Sequence, residues 1–285
     1  MGTIGMAYTA RIPIPGRVAM ELRTIPIGGH KIAYRQVGAG PPIVLLHGVL
    51  SDSRYWTPQF DELARDFTVI AWDAPGAGSS TDPPETFSIA DYAHVLAEFV
   101  RALGIERAHI GGLSWGGALA LELYRHHPDM VRSLMLADTY AGWKGSLPAE
   151  VVYARLEQCL QESELAPAEF IPNWLPGLLA PSAPAKLVEQ TTAMMSDFHP
   201  AGYRAIIRGM AEADERDVLP SIRVPTLLVW GEGDKRSPTS VAGEMRNAIR
   251  GARLVVIPGA GHLSSAERPD RFNAAVRAFC NQNPL

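Results

Sequence analysis

Short, dense apolar runs alternate with helix-length amphipathic segments along almost the whole chain, and few architectures accommodate that rhythm. "PPIVLLHG" (41–48) and "FTVIAWDAPG" (67–76) are apolar nearly throughout and end in glycine, as strands buried on both faces do. "TPQFDELARDF" (57–67), which separates them, carries helical apolar spacing. The pattern continues with the helix "SIADYAHVLAEFVRALGI" (88–105), the strand "RAHIGGLS" (107–114), the helix "WGGALALELYRHHP" (115–128) and the strand "VRSLMLADT" (131–139). Ser88 is placed to cap its helix and Gly104 to stop it. "MELRTIPIGG" and "HKIAYRQVG" alternate apolar and polar residues across a Gly-Gly turn and predict an opening antiparallel hairpin. Strands alternating with helices in this way predict an α/β domain built on a mostly parallel sheet.

The rhythm breaks after Thr139. Residues 141–219 contain helical pieces such as "PAEVVYARLEQCL" and "PAGYRAIIRGMAEAD", separated by the proline-broken stretch "APAEFIPNWLPGLLAPSAPAK". Alternation resumes with "VPTLLVWGEGD", "PTSVAGEMRNAIRG", "ARLVVIPGAG" and "ERPDRFNAAVRAFC". The expected division is therefore an N-terminal arm over 1–20, an α/β core formed by 21–140 and 220–285, and a mostly helical insertion over 141–219. At 285 residues this fits one large domain carrying an insertion.

Composition narrows the possible functions. A net charge of −4 argues against a nucleic-acid partner, which calls for a basic face. No apolar run reaches the ~18 residues that a membrane-spanning helix needs. The first twenty residues hold Arg11, Pro13, Pro15 and Arg17 and lack a continuous apolar core, so no secretory signal is expected. Cys159 and Cys280 have no Cys or His at zinc-ligand spacing and are expected to be free thiols in a cytoplasmic protein.

One serine interrupts the glycine-rich end of the 107–114 strand. Ser114 lies between Gly112 and Gly116, a G-x-S-x-G pattern at a strand-to-helix junction. There a sharp turn exposes the hydroxyl at a helix N-terminus, where free amides favour developing negative charge. The alternative is a structural serine in a glycine-rich strand end. A serine nucleophile needs a base, and the base needs an orienting carboxylate, in the chain order Ser, Asp or Glu, His. His262 follows the last strand in a glycine-containing loop and is the expected base. His30, His94, His109, His126, His127 and His199 fall in the hairpin, in helices, in a strand or in the insertion, and are read as structural or solvent-facing. Asp234, just past the strand before His262, is the preferred carboxylate, with Asp138 its rival and Glu232 closer to the strand. The oxyanion is assigned to the backbone amides of Trp115 and of Val49 in "LLHGVLSDSRYW", with His47 bracing that loop.

With "LLHG", "AWDAPGAGSS", "GGLSWGG", "LVWGEGD" and "PGAGHLSSAERP" in this order, the chain resembles the α/β-hydrolase superfamily from about Leu22 to Phe279, and in particular its capped serine esterases and lactonases. The resemblance implies an eight-stranded, mostly parallel sheet with helices on both faces and a helical cap after the sixth strand. It also implies an acyl-enzyme route that uses no cofactor and no metal. Trp143, Trp174, Met194 and Phe198 are the cap side chains expected to meet substrate, alongside Phe170, Met195 and Tyr203, some of which must pack the cap itself. An ester or lactone with a small to medium apolar acyl group is the expected small-molecule partner, acyl-homoserine lactones and enol lactones included. With no Arg or Lys cluster seen beside the motifs, a highly charged substrate is not expected. Proline iminopeptidases, carbon–carbon bond hydrolases and non-catalytic ligand receptors share the fold and remain open. Epoxide hydrolases and haloalkane dehalogenases need an aspartate where this chain has Ser114.

Overall fold

The computed structural model describes residues 20–284, so the arm expected over 1–20 lies, apart from Met20, outside the described residues. Eight strands form one sheet: β1 (Leu22–Ile27), β2 (His30–Val37), β3 (Pro42–Leu46), β4 (Thr68–Trp72), β5 (Ala108–Leu113), β6 (Val131–Ala137), β7 (Thr226–Gly231) and β8 (Arg253–Ile257). Their order is β1-β2-β4-β3-β5-β6-β7-β8. The β1–β2 hairpin is antiparallel and joins β4 in antiparallel register. All remaining pairs are parallel. Every residue of β5 and of β7 is buried, which requires cover on both faces of the sheet, whereas the edge strand β1 is largely exposed.

That cover comes from α1 (Thr57–Leu63), α2 (Ile89–Ala102), α3 (Trp115–His126), α9 (Thr239–Ala248), the short α10 (Ser264–Glu267) and α11 (Pro269–Gln282). α2 begins where its sequence predicts: Ser88 Oγ accepts from the backbone N–H of Asp91, and the Asp91 carboxylate accepts from the N–H of Ser88. Its apolar stripe of Tyr92, Leu96, Phe99 and Val100 is buried. Trp72, Trp115, Trp230 and Phe99 are among the largest side chains wholly removed from solvent.

Between β6 and β7 lie α4 (Trp143–Ser146), α5 (Ala149–Glu162), α6 (Pro167–Leu178), α7 (Ala185–Ser196) and α8 (Pro200–Glu212). The proline-broken stretch is more ordered than its composition predicts, because α6 runs through both Pro172 and Pro176. Each proline removes a backbone donor from the helix ladder, a defect that would disfavour an isolated helix. Tertiary packing offsets it: Phe170, Ile171, Trp174 and Leu178 are buried, and the Trp174 indole donates to Glu162 on α5 at 2.8 Å.

Candidate active site

From Ala108 to Tyr124 every residue except Ser114 is buried. The backbone explains this singular access. Ser114 has φ 53° and ψ −119°, a left-handed excursion that costs energy for a residue with a Cβ. The surroundings hold it there: its N–H donates to Ala137 O at 2.9 Å, and its carbonyl accepts from Gly117 N–H and from Thr139 Oγ1. A Cβ at Gly112 would sit 2.1 Å from Gly116 O, and one at Gly116 would sit 2.3 Å from Leu46 O. Both glycines are therefore dictated by the close approach of β3, β5 and α3. Ser114 occupies the N-cap position of α3, yet its side chain makes no capping hydrogen bond.

The loops after β7 and β8 meet because Gly231 has no side chain; a Cβ there would lie 1.9 Å from Gly261 O. This contact brings His262 against Asp234, with His262 Nδ1 2.9 Å from Asp234 Oδ2, both residues being buried. The other carboxylate oxygen accepts from the N–H groups of Arg236 (2.8 Å) and Ser237 (2.9 Å). An acceptor held at Nδ1 fixes the tautomer and leaves Nε2 free to take a proton. Asp138 is spent elsewhere: its oxygens accept from Gly231 N–H at 2.7 Å and from Ser264 Oγ at 2.5 Å. Burial and the nearby charge of Asp234 push the Asp138 carboxyl well above the usual carboxylate range. Glu232 accepts from Gly259 N–H, at 3.2 Å in an exposed position.

His47 is pinned between two backbone groups. Ala74 N–H donates to its Nε2 at 3.0 Å, so Nδ1 carries the proton and donates to Gly48 O at 2.8 Å. Burial holds this imidazole below its ordinary range and keeps it neutral. With no cis peptide among the described residues, the Gly48 carbonyl and the Val49 N–H point in opposite directions. Holding the carbonyl on His47 thus turns the Val49 N–H away from it. Gly48 itself adjoins the nucleophile candidate, since a Cβ there would stand 3.5 Å from Ser114 Cβ. Trp115 is the first residue of α3, where an N–H has no partner within the helix. Its indole does not face the cavity: it is buried against Tyr92 and His47, at ring distances of 5.1 and 5.9 Å.

The other histidines lie apart from this arrangement. His109 pairs with Ser133 Oγ in the core, and His199 with Asp82. His94, His126 and His127 stack on one another near the C-terminal end of α3, and His30 packs on Phe87.

One cavity collects Ser114, His262 and Val49 on the sheet side, with Trp143, Trp174 and Met194 from the helices between β6 and β7. Phe198, expected with them, does not line it. Its ring packs on Phe170 and Tyr203, 5.3 and 5.7 Å away, and faces a neighbouring pocket. Met195 joins the lining instead. Two side chains escaped the sequence reading altogether. Arg155 from α5 and Arg236 from the loop after β7 also line the cavity, contrary to the expectation that no basic cluster would stand near the motifs. Arg236 sits two residues past Asp234, and that adjacency was the available signal. Tyr55, whose hydroxyl is 2.5 Å from Ser265 Oγ, joins Tyr140, Ser51 and Thr191 in the polar lining.

Comparison with known proteins identifies the fold. The family model described as the alpha/beta hydrolase fold matches residues 41–269. The putative carbamate hydrolase RutD of Azorhizobium caulinodans is 30% identical, over 90% of this chain and 97% of its own. The proline iminopeptidase of Lactobacillus helveticus is 25% identical, over 91% of this chain and 97% of its own. A thermophilic esterase from Thermogutta terrifontis, solved with malate bound, superposes with a TM-score of 0.86 at 30% identity. That match covers 93% of this chain and 100% of the esterase.

Proposed function

The chain belongs to the α/β-hydrolase family, and from that premise we propose that it is a serine hydrolase cleaving carboxylic esters or lactones through an acyl-enzyme. The observation that carries this reading is the Asp234–His262 hydrogen bond beside a strained, accessible Ser114 facing the same cavity. Residues 141–219 act as a cap over a core formed by 21–140 and 220–285.

In this mechanism Ser114 Oγ attacks the substrate carbonyl as its proton passes to His262 Nε2. The Asp234 carboxylate stabilises the imidazolium through Nδ1. The N–H groups of Trp115 and Val49 receive the oxyanion. His262 then protonates the departing alcohol, which stays tethered when the substrate is a lactone. Water activated by His262 releases the acid and restores Ser114.

The cavity lining favours ester chemistry over aminopeptidase chemistry. An iminopeptidase needs acidic groups to hold the substrate amine, and among the described residues no carboxylate lines this cavity. Trp143, Trp174, Leu178 and Met194 supply an apolar wall suited to a small or medium acyl group. The test is hydrolysis of short-chain p-nitrophenyl esters by the wild type and by Ser114→Ala. Turnover in the wild type, lost by orders of magnitude in the variant, supports the reading. Full activity in Ser114→Ala contradicts it.

A further inference from the structure

Two guanidinium groups share the cavity with the proposed nucleophile. Arg155 and Arg236 line both the Ser114 cavity and an adjoining pocket that opens past Cys159 and Lys235. They come from elements far apart in sequence, and the charge of Arg155 disfavours that of Arg236. Neither forms an ion pair with a carboxylate among the described residues, although other arginines do, such as Arg54 with Asp52 and Arg125 with Glu122.

Arg236 is held rigidly. Its backbone N–H is tied to Asp234, its carbonyl accepts from the Tyr140 hydroxyl, and its guanidinium lies 3.8 Å above the Trp174 ring. Gly177, one turn along α6 from Trp174, makes the room: a Cβ there would stand 3.3 Å from Arg236 Nε. That Nε is shut off from solvent and finds no acceptor among the described residues. Burial lowers the pKa of the guanidinium from its ordinary value.

A purely structural role does not account for this arrangement. Contact with an indole face is worth less than the cost of holding a largely desolvated charge without a hydrogen-bonded counter-ion. Glu162, the carboxylate whose charge acts on Arg236, already accepts from the Trp174 indole and from Gln158, both at 2.8 Å. Arg155 stands 5.9 Å from the ring centres of Tyr140 and Trp143, is hydrogen-bonded to the Tyr140 hydroxyl, and lines the adjoining pocket together with Arg236. Two guanidinium groups with no carboxylate partner among the described residues, lining one space, suit the binding of a carboxylate.

We propose that Arg155 and Arg236 form an anion-binding end of the active-site cavity, and that the enzyme acts on esters or lactones that carry a free carboxylate. This rests on the reading of Ser114 as nucleophile and adds the substrate class to it. The apolar wall then contacts the chain between the carboxylate and the scissile carbonyl.

The experiment compares matched substrate pairs. Mono-p-nitrophenyl glutarate against its methyl ester puts the carboxylate on the acyl side; 3-butyryloxybenzoate against its methyl ester puts it on the leaving group. The wild type should prefer the carboxylate member of at least one pair by about ten- to a hundredfold in kcat/KM, the range expected for a charged hydrogen bond. The preferred pair identifies the end that the arginines hold. Arg155→Met and Arg236→Met should collapse that ratio towards one, and Arg236→Lys should retain part of it. Equal or better use of both neutral esters overturns the proposal, as does a preference that survives both Met substitutions. Binding separates this proposal from the mechanism beneath it. Glutarate titrated into Ser114→Ala and followed by tryptophan fluorescence should saturate, and should weaken at least about tenfold in Ser114→Ala/Arg155→Met. Saturation with no Ser114-dependent hydrolysis would condemn the nucleophile and keep the anion site; neutral-ester hydrolysis without glutarate binding would do the reverse.

Discussion

Asp234 holds His262 with one carboxylate oxygen while its other oxygen is fixed by two backbone amides, so the imidazole is oriented by a group that cannot itself turn. Asp138, also buried nearby, instead joins the end of β7 to Ser264. The two carboxyl groups therefore predict different losses. Asp234→Asn should lower kcat by about four orders of magnitude, because an amide favours the wrong imidazole tautomer. Asp138→Asn keeps an acceptor for Gly231 N–H and gains a donor for Ser264 Oγ, and should stay within about tenfold of wild type. Steady-state kinetics of both variants on one p-nitrophenyl ester decides between them.

In the proposed mechanism His47 acts through the peptide it holds. Without its bond to Gly48 O, the Val49 N–H loses its fixed direction. His47→Ala should reduce kcat by about 10²–10³, the effect of losing one oxyanion donor, with KM changed far less. A loss confined to KM would remove His47 from this role.

Much of this architecture is written in local pattern. The strands and α2 announce themselves through periodicity and capping, and Gly112 and Gly116 mark the sharp turn because no larger residue fits where β3, β5 and α3 meet. The order of Ser114, Asp234 and His262 is legible because successive parallel strands deliver their following loops to one sheet edge. α6 is not legible, because Pro172 and Pro176 argue against a helix that only its packing sustains. Arg155 and Arg236 are 81 positions apart, and their convergence depends on how α5 and α6 settle over the sheet, which no short-range pattern encodes. Phe198 turns to the neighbouring pocket for the same reason: Phe170 and Tyr203, not the local sequence, set its direction.

Glu215 predicts a pH dependence of stability. Its carboxyl is buried, finds no hydrogen-bond donor for either side-chain oxygen among the described residues, and is held well above the usual range by burial and by the charge of Glu122. In the folded state it stays protonated at pH values where the unfolded chain has lost that proton. The native state then binds more protons, and stability falls as pH rises from the ordinary carboxylate range up to the raised folded value. Glu215→Gln removes this slope. Its melting temperature relative to wild type should climb with pH across that window, and thermal unfolding at a series of pH values measures the difference. A constant offset would mean that Glu215 does not titrate in this way.

Gly112→Ala tests the packing of the turn. The added methyl meets the backbone carbonyl of Gly116, which cannot swing aside as a side chain would. The variant should lose about 3 kcal/mol or more, at the upper end of the cost of overpacking, by denaturant unfolding. Gly243→Ala in α9, where nothing stands within 4 Å of the added Cβ, should be neutral or gain up to about 1 kcal/mol.

In the proposed mechanism Ser114 carries the acyl group. Reaction with a serine-directed fluorophosphonate, followed by intact and peptide mass spectrometry, locates the nucleophile. One adduct per chain is expected, on the peptide containing Ser114, absent in Ser114→Ala and formed far more slowly in His262→Ala. An adduct on another residue, or undiminished labelling of Ser114→Ala, would contradict the account.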